Sequence, residues 1–340
     1  MCRAAALALL ASLGCAGCGE ATRERAGVFT VEAPLPLPGG LAVPDEPGSV
    51  KFAVIGDSGR GTPEQHELGR RMAEYRERFG FDFVIMLGDN IYEGPASPRD
   101  YELRFERPYE ALLRAGVKFY AALGNHDDPE QRHYAPFNMG GHRYYTFEKT
   151  GGLLAGLVRA RFFALDTTGL DAAQRAWLSR ELSGSEADWK ICFFHHPLFT
   201  PGRYASWWWR QRLEPLLVAN GADVVFSGHD HLYARMKPQR GVQYFVSGGA
   251  GSVRVGDFRP SPLAARGYDA DLHFMLVEVT RQAVHFQAVN RRGETVDAGV
   301  VGRQQGSLGA DRHQAPQRRE RISSTFAAKA AAHSVTPRGE

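Results

Sequence analysis

Short apolar runs alternate with segments of helical spacing along most of the chain. Runs at 50–55, 81–87, 117–123, 161–165, 190–194, 224–226, 242–246, 274–279 and 284–289 each end at turn residues, as buried strands do. Between them, Leu68, Met72, Tyr75 and Phe79 fall on one helical face. Thr62-Pro63-Glu64-Gln65 begins that helix as a capping box with Pro in its first turn. Ser97-Pro98-Arg99-Asp100 opens another helical stretch in the same way. Helices are predicted over 171–182, with Trp177, Leu178 and Leu182 turned inward, and over 207–220, with Trp209, Leu213, Leu216 and Leu217 in the core. Trp207 and Trp208 cannot both share that face, so one of them is a candidate for the mouth of a pocket. Strands alternating with helices, and no internal repeat, indicate an α/β fold.

The ends of the chain read differently. Residues 4–13 are a charge-free apolar stretch behind Arg3, far below the roughly 20 residues of a membrane span, and residues 1–18 together fit an export signal. Ser12-Leu13-Gly14-Cys15 and Cys15-Ala16-Gly17-Cys18 are degenerate versions of a lipid-attachment signal. Residues 19–48, dense in Pro and Gly, read as a linker or extended lead-in. The folded body is expected over 49–298. Residues 299–340, rich in Gln, Arg, Ala and Ser, read as a basic tail without stable structure. The expected setting is periplasmic or cell-surface, with a lipid anchor at the N-terminus and a monomeric assembly.

Composition narrows the class. With 43% hydrophobic and 23% charged residues, the chain is neither disordered throughout nor fibrous. Its formal charge of +3 comes from the tail, which holds seven Lys/Arg against three Asp/Glu from Arg303 onward; without the tail and Arg3 the body stands at −2. That gives no electrostatic reason to expect nucleic acid. Cys192 is the one cysteine outside the first eighteen residues, so the body has no disulfide framework and this thiol reads as an inert core group.

Five strand ends deliver ligand-type side chains: Gly56-Asp57-Ser58-Gly59, Gly88-Asp89-Asn90-Ile91-Tyr92, Gly124-Asn125-His126-Asp127, His195-His196-Pro197 and Gly228-His229-Asp230-His231. One Gly-Asp after a strand is usually a turn. Five such coincidences point to a site at the carboxyl ends of strands. Oxygen and nitrogen donors without thiolate suit zinc, manganese or iron, and the donors are enough for two metals and too many for one. Extended alternation puts His229 and His231 on one side and Asp230 on the other, and separates Asn125 from His126 and His195 from His196. Asp127 is a candidate to orient a neighbour, or to cap a helix near Pro129.

These five ordered motifs resemble those of the calcineurin-like metallophosphoesterase superfamily. The Tyr of Gly88-Asp89-x-x-Tyr92 is similar to the small, tartrate-resistant type of purple acid phosphatase. The resemblance implies a four-layer α/β/β/α sandwich of two mixed sheets flanked by helices. It implies Asp57, Asp89, Tyr92 and His231 around a first metal, Fe(III), and Asp89, Asn125, His195 and His229 around a second, Fe(II), Zn or Mn, with Asp89 bridging. The implied reaction is hydrolysis of a small phosphate ester or phosphorylated substrate by a metal-activated hydroxide. His126 would donate a proton to the leaving group; His126, His196, Arg203 and Tyr204 would contact substrate. The family often has a further His where Tyr204 stands, so leaving-group chemistry is the point of departure. The competing readings are a phosphodiesterase or nucleotidase with two divalent metals and, from another class, an inactive surface-anchored binding protein.

Overall fold

The computed structural model describes residues 27–92, 96–152, 158–204 and 207–303. The expected export signal over 1–18, with Cys2, Cys15 and Cys18, and the tail beyond residue 303 lie outside them. Strands β1 (Val28–Glu32), β2 (Val50–Ile55), β3 (Phe83–Met86) and β4 (Lys118–Ala121) come first. Then follow β5 (Tyr145–Gly151), β6 (Val158–Ala164), β7 (Trp189–Phe194), β8 (Val224–Ser227), β9 (Tyr233–Met236), β10 (Gln243–Ser247) and β11 (Ala264–Tyr268). Strands β12 (His273–Val279), β13 (Ala283–Asn290) and β14 (Thr295–Arg303) complete the set. They form two seven-stranded sheets, in the orders β1-β14-β13-β12-β2-β3-β4 and β11-β9-β10-β8-β7-β6-β5. Both are mixed. β2, β3 and β4 run parallel, as do β6, β7, β8 and β10, while the β1-β14-β13-β12-β2, β11-β9-β10 and β5-β6 neighbours pair antiparallel.

The sheets face each other across a core in which Phe52 and Phe83 meet Phe162, Phe193, Phe226 and Phe245. Phe52 and Phe162 sit edge to face, with centroids 5.2 Å apart. The alternate residues of β2, Ala53 and Ile55, turn outward to Leu68, Met72, Tyr75 and Phe79 of helix α1 (Pro63–Phe79). Short helices α2 (Pro98–Tyr101) and α3 (Glu110–Arg114) follow on. Beneath the other sheet, Phe163, Cys192 and Val225 pack on Leu178 and Leu182 of α4 (Ala172–Ser183) and on Leu213 and Leu217 of α5 (Trp207–Ala219). The result is the expected four-layer α/β/β/α sandwich. Because β2, β3, β7 and β8 are buried on both faces, they appear in the sequence as unbroken apolar runs.

Some local expectations change. Thr62 caps α1 by accepting from the Gln65 N–H (3.3 Å), but the Gln65 side chain turns away from Thr62 to bind the amides of Arg60 and Gly61. The capping box is therefore half made. Ser97 and Asp100 form a complete box at α2. The helical stretch behind it loosens into a π turn, Glu102–Glu106.

The folded body is larger than 49–298. β1 lies inside the expected linker and pairs antiparallel with β14, which runs on to Arg303. The lead-in is pinned as well. Gln287 accepts from the Ala42 amide (2.8 Å) and donates to the Gly40 carbonyl (2.9 Å). Buried Glu278 accepts from the amides of Asp45 (2.7 Å) and Glu46 (2.5 Å) and from Ser49 Oγ (2.7 Å). Prolines kept this segment out of a helix or central strand, and side chains more than 200 residues away hold it down.

Candidate metal centre

The carboxyl ends of β2, β3 and β4 in one sheet and of β7 and β8 in the other carry all five motifs. Three of the ligand-type residues have left-handed backbone: Asp57 (φ 55°), Asp89 (φ 53°) and His229 (φ 69°). Such conformations cost about 1–3 kcal/mol each and persist only where surroundings enforce them. Here Asp57 donates its N–H to the Gly88 carbonyl (3.0 Å), and Asp57 Oδ2 accepts from the His229 amide (2.8 Å). Asp89 Oδ1 accepts from the His126 amide (3.0 Å). The glycines of the motifs are required by crowding. A Cβ on Gly124 would lie 2.2 Å from Asp89 Oδ1, and one on Gly228 2.5 Å from Asp57 Oδ2.

Two clusters result. In the first, Tyr92 Oη lies 3.3 Å from Asp57 Oδ1 and 3.2 Å from His231 Nε2, which is itself 3.4 Å from Asp57 Oδ1. In the second, His195 Nε2 lies 2.9 Å from Asn125 Oδ1 and 3.0 Å from His229 Nδ1. Asp89 belongs to the first cluster and reaches the second, with Oδ1 3.5 Å from His195 Nε2. Each triad (Asp57, Asp89, His231; His195, His196, His229) brings its donor atoms within 4.8 Å of one another.

The electrostatics suit cations. Burial, and then the Asp89 charge, push the Asp57 carboxyl well above the usual carboxylate range. Burial holds His195 well below its ordinary value and His231 down to about 4, so both imidazoles are neutral. Tyr92 is pushed upward by burial, then by Asp57 and Asp89. His195 Nδ1 faces the Leu87 carbonyl at 3.0 Å, which can only accept, so Nε2 carries the lone pair that points at Asn125 and His229. Adjacent buried carboxylates and converging lone pairs repel one another until a positive ion lies between them. The residues present therefore fit two metal ions.

The second layer is ordered too. Asp127 accepts from the amides of Asn90 (2.7 Å), Ile91 (3.0 Å) and Gly124 (2.8 Å), tying the β3 and β4 ends together. The capping role at Pro129 falls to Asp128, which accepts from the Glu130 amide. Asp230 faces away from the metal clusters, toward Thr200 Oγ1 and the amides of Arg203 and Tyr204.

A sequence profile of the calcineurin-like phosphoesterases matches residues 50–233, more than half of the chain. The chain belongs to that family. It is a phosphoric-ester hydrolase, with the two-sheet fold and the donor set in place. Among curated relatives, purple acid phosphatase 17 of Arabidopsis thaliana is 26% identical over 76% of this chain and 86% of its own length. Mouse tartrate-resistant acid phosphatase type 5 is 24% identical over 65% and 78%. Among solved structures, GAP50, the anchor in the inner membrane complex of Plasmodium, superposes with a TM-score of 0.68 at 17% identity, over 76% of this chain and 90% of that one. That likeness is one of fold.

This phosphoesterase places the predicted substrate residues unequally. His126 is exposed, its ring 4.9 Å from that of Tyr92. The Tyr204 ring lies 4.5 Å from that of His229. The Arg203 guanidinium is ion-paired with buried Asp257 at 2.5 Å, a partner the sequence did not indicate. His196 departs only from the expected alternation with His195. The strand ends at Phe194, alternation lapses, and both adjacent histidines join one cluster.

Sequence reasoning missed five contributors. The Arg60 guanidinium stacks on the Tyr92 ring (4.0 Å). Ser252 Oγ contacts His231 Nδ1 (2.8 Å). Arg254 donates to Tyr204 Oη (3.2 Å). Thr167 and Trp209 hold His196. Trp209 therefore lines the site rather than serving only as core, while Trp207 and Trp208 are exposed. None of these residues belongs to a motif; the Arg60 and Ser252 positions border Gly-rich turns, which was their one visible signal.

Proposed function

We propose that this phosphoesterase hydrolyses phosphate monoesters in the manner of a purple acid phosphatase, with Fe(III) in the Asp57–Asp89–Tyr92–His231 cluster. Fe(II), Zn or Mn would occupy the Asp89–Asn125–His195–His229 cluster. The observation that carries this reading is the Tyr92 hydroxyl, within 3.3 Å of both Asp57 and His231. A phenolate donor there suits a hard trivalent ion.

When bound, the metal pair supplies Lewis acidity: it neutralises the ester's charge and lowers the pKa of water. The chain's own residues do the rest. Asp89 spans the two sites. His126, exposed beside Tyr92, donates a proton to the departing alkoxide. Arg254 spends one N–H on Tyr204 Oη, which leaves the tyrosine O–H free to donate to a phosphoryl oxygen. Arg60 and Arg254 have no carboxylate partner among the described residues and add positive charge on the His231 side. By the same proposal the protein is exported through residues 1–18, acts on small phosphate esters or phosphorylated substrates in the periplasm or at the cell surface, and works as a monomer.

The test combines metal analysis, a visible spectrum and a panel of mono- and diesters on one purified sample. The expected result is iron with a tyrosinate absorption band that disappears in Tyr92→Phe, together with a preference for monoesters. A colourless, iron-free protein whose metal content ignores Tyr92→Phe would transfer the site to the two-divalent-metal diesterase reading.

A further inference from the structure

His196 shares a cluster with His195 and His229, and proximity alone would make it one more imidazole ligand of the second metal. Its hydrogen bonds argue otherwise. The His196 amide donates to Thr167 Oγ1 (3.1 Å), and His196 Nδ1 lies 2.8 Å from that same oxygen. A threonine hydroxyl has one proton to give. With the amide occupying one lone pair, Nδ1 is the acceptor within reach of the Thr167 proton. The reverse arrangement, with Nδ1 donating, would leave that proton without an acceptor among the described residues, on a residue only 2% exposed. A neutral His196 therefore carries its own proton on Nε2, and an N–H has no lone pair for a metal. His195 is the opposite case, since the Leu87 carbonyl holds its proton on Nδ1.

Trp209 fixes the ring plane. Its indole lies parallel to the His196 imidazole, with centroids 3.9 Å apart at 13°, and its Nε1 donates to the Thr167 carbonyl (3.0 Å). Thr167 is thus held at its backbone by Trp209 and at its side chain by His196. The imidazole they present is 4.6 Å, centroid to centroid, from that of His229.

Resting on the phosphoesterase reading above, we infer that His196 is a hydrogen-bond donor to phosphoryl oxygen, of ester or of inorganic phosphate product, beside the second metal site. It is not a metal ligand. Thr167 and Trp209 are positioning residues that set its tautomer and plane.

The direct test is the imidazole tautomer, read from two-bond proton–nitrogen correlations on zinc-loaded, ¹⁵N-histidine-labelled protein, with His196→Gln used to assign the signals. Nε2–H is expected; a proton on Nδ1, or the shift of a metal-bound nitrogen, overturns the inference. His196→Gln should keep both metal equivalents, and loss of one overturns it as well. Thr167→Val keeps the side chain's shape and removes the hydroxyl. It should weaken competitive inhibition by inorganic phosphate and kcat/KM for phenyl phosphate about tenfold at unchanged metal content, with Thr167→Ser returning both to within about threefold. Unchanged phosphate inhibition in both Thr167→Val and His196→Gln also overturns it. The tautomer measurement needs no variant other than the one for assignment, so a misfolded Thr167→Val leaves it decisive. A wild-type protein that turns over no phosphate ester would defeat the function proposed above, while the tautomer and metal content would still decide this inference.

Discussion

At the scale of the residue, the site depends on the difference between lone pairs and protons. His195 offers a bare Nε2 because its one ring proton sits on Nδ1, donated to a carbonyl, whereas His196 offers an N–H because a hydroxyl donates to its Nδ1. His126 meets the donor clusters through its amide on Asp89 and its ring beside Tyr92. As general acid it predicts a leaving-group signature. His126→Ala should lower kcat for alkyl phosphates by about 10²–10⁴-fold and much less for p-nitrophenyl phosphate, whose leaving group needs no proton, with metal content unchanged. Equal losses on both substrates would instead mark His126 as an orienting group. The metal-ligand types were legible from residue identity and order alone, because the chemistry restricts which side chains serve. The direction in which Arg203 and Trp209 point was not legible, because each is decided by a partner remote in sequence, Asp257 for one and His196 for the other.

At the scale of the element, the strands buried on both faces were easiest to read. β2, β3, β7 and β8 are continuous apolar runs with turn residues at the ends, and their carboxyl ends hold the motifs. β1, β5, β9, β11 and β14 were not legible. They lie at or beside sheet edges, and all but the short, buried β9 are partly exposed and of mixed composition. The Pro/Gly lead-in shows the same effect, since its order comes from Glu278 and Gln287 rather than from its own residues. Glu278→Ala should therefore release the segment between β1 and β2, removing three hydrogen bonds to one carboxylate at a cost of about 2–4 kcal/mol. Limited proteolysis should then cut within 33–48, and the melting temperature should fall. Resistance equal to wild type would show that the strap holds without Glu278.

For the molecule as a whole, acid stability has an identifiable contributor outside the metal centre. His273 is fully buried, neither ring nitrogen has a hydrogen-bond partner among the described residues, and burial depresses its pKa to about 4. A depressed folded-state value means the ring is neutral when folded and takes up a proton more readily when unfolded. Its contribution is complete above about pH 6.5 and is lost as the pH falls toward about 4, by up to about 3 kcal/mol at 1.4 kcal/mol per unit. Denaturant melts of metal-free protein should show that slope in wild type and a shallower one in His273→Leu; parallel slopes would assign the acid sensitivity elsewhere.

Residue order alone determined the α/β class, the donor set and its assignment to five strand ends. Periodicity and ligand chemistry are local properties, written where they act. Tertiary structure alone decided which edge strands close the sheets, which arginine takes a carboxylate partner, and which of two adjacent histidines can give a lone pair to a metal. Those outcomes turn on partners brought together from distant parts of the chain, and a hydrogen bond or ion pair is satisfied by whatever the fold places within about 3 Å.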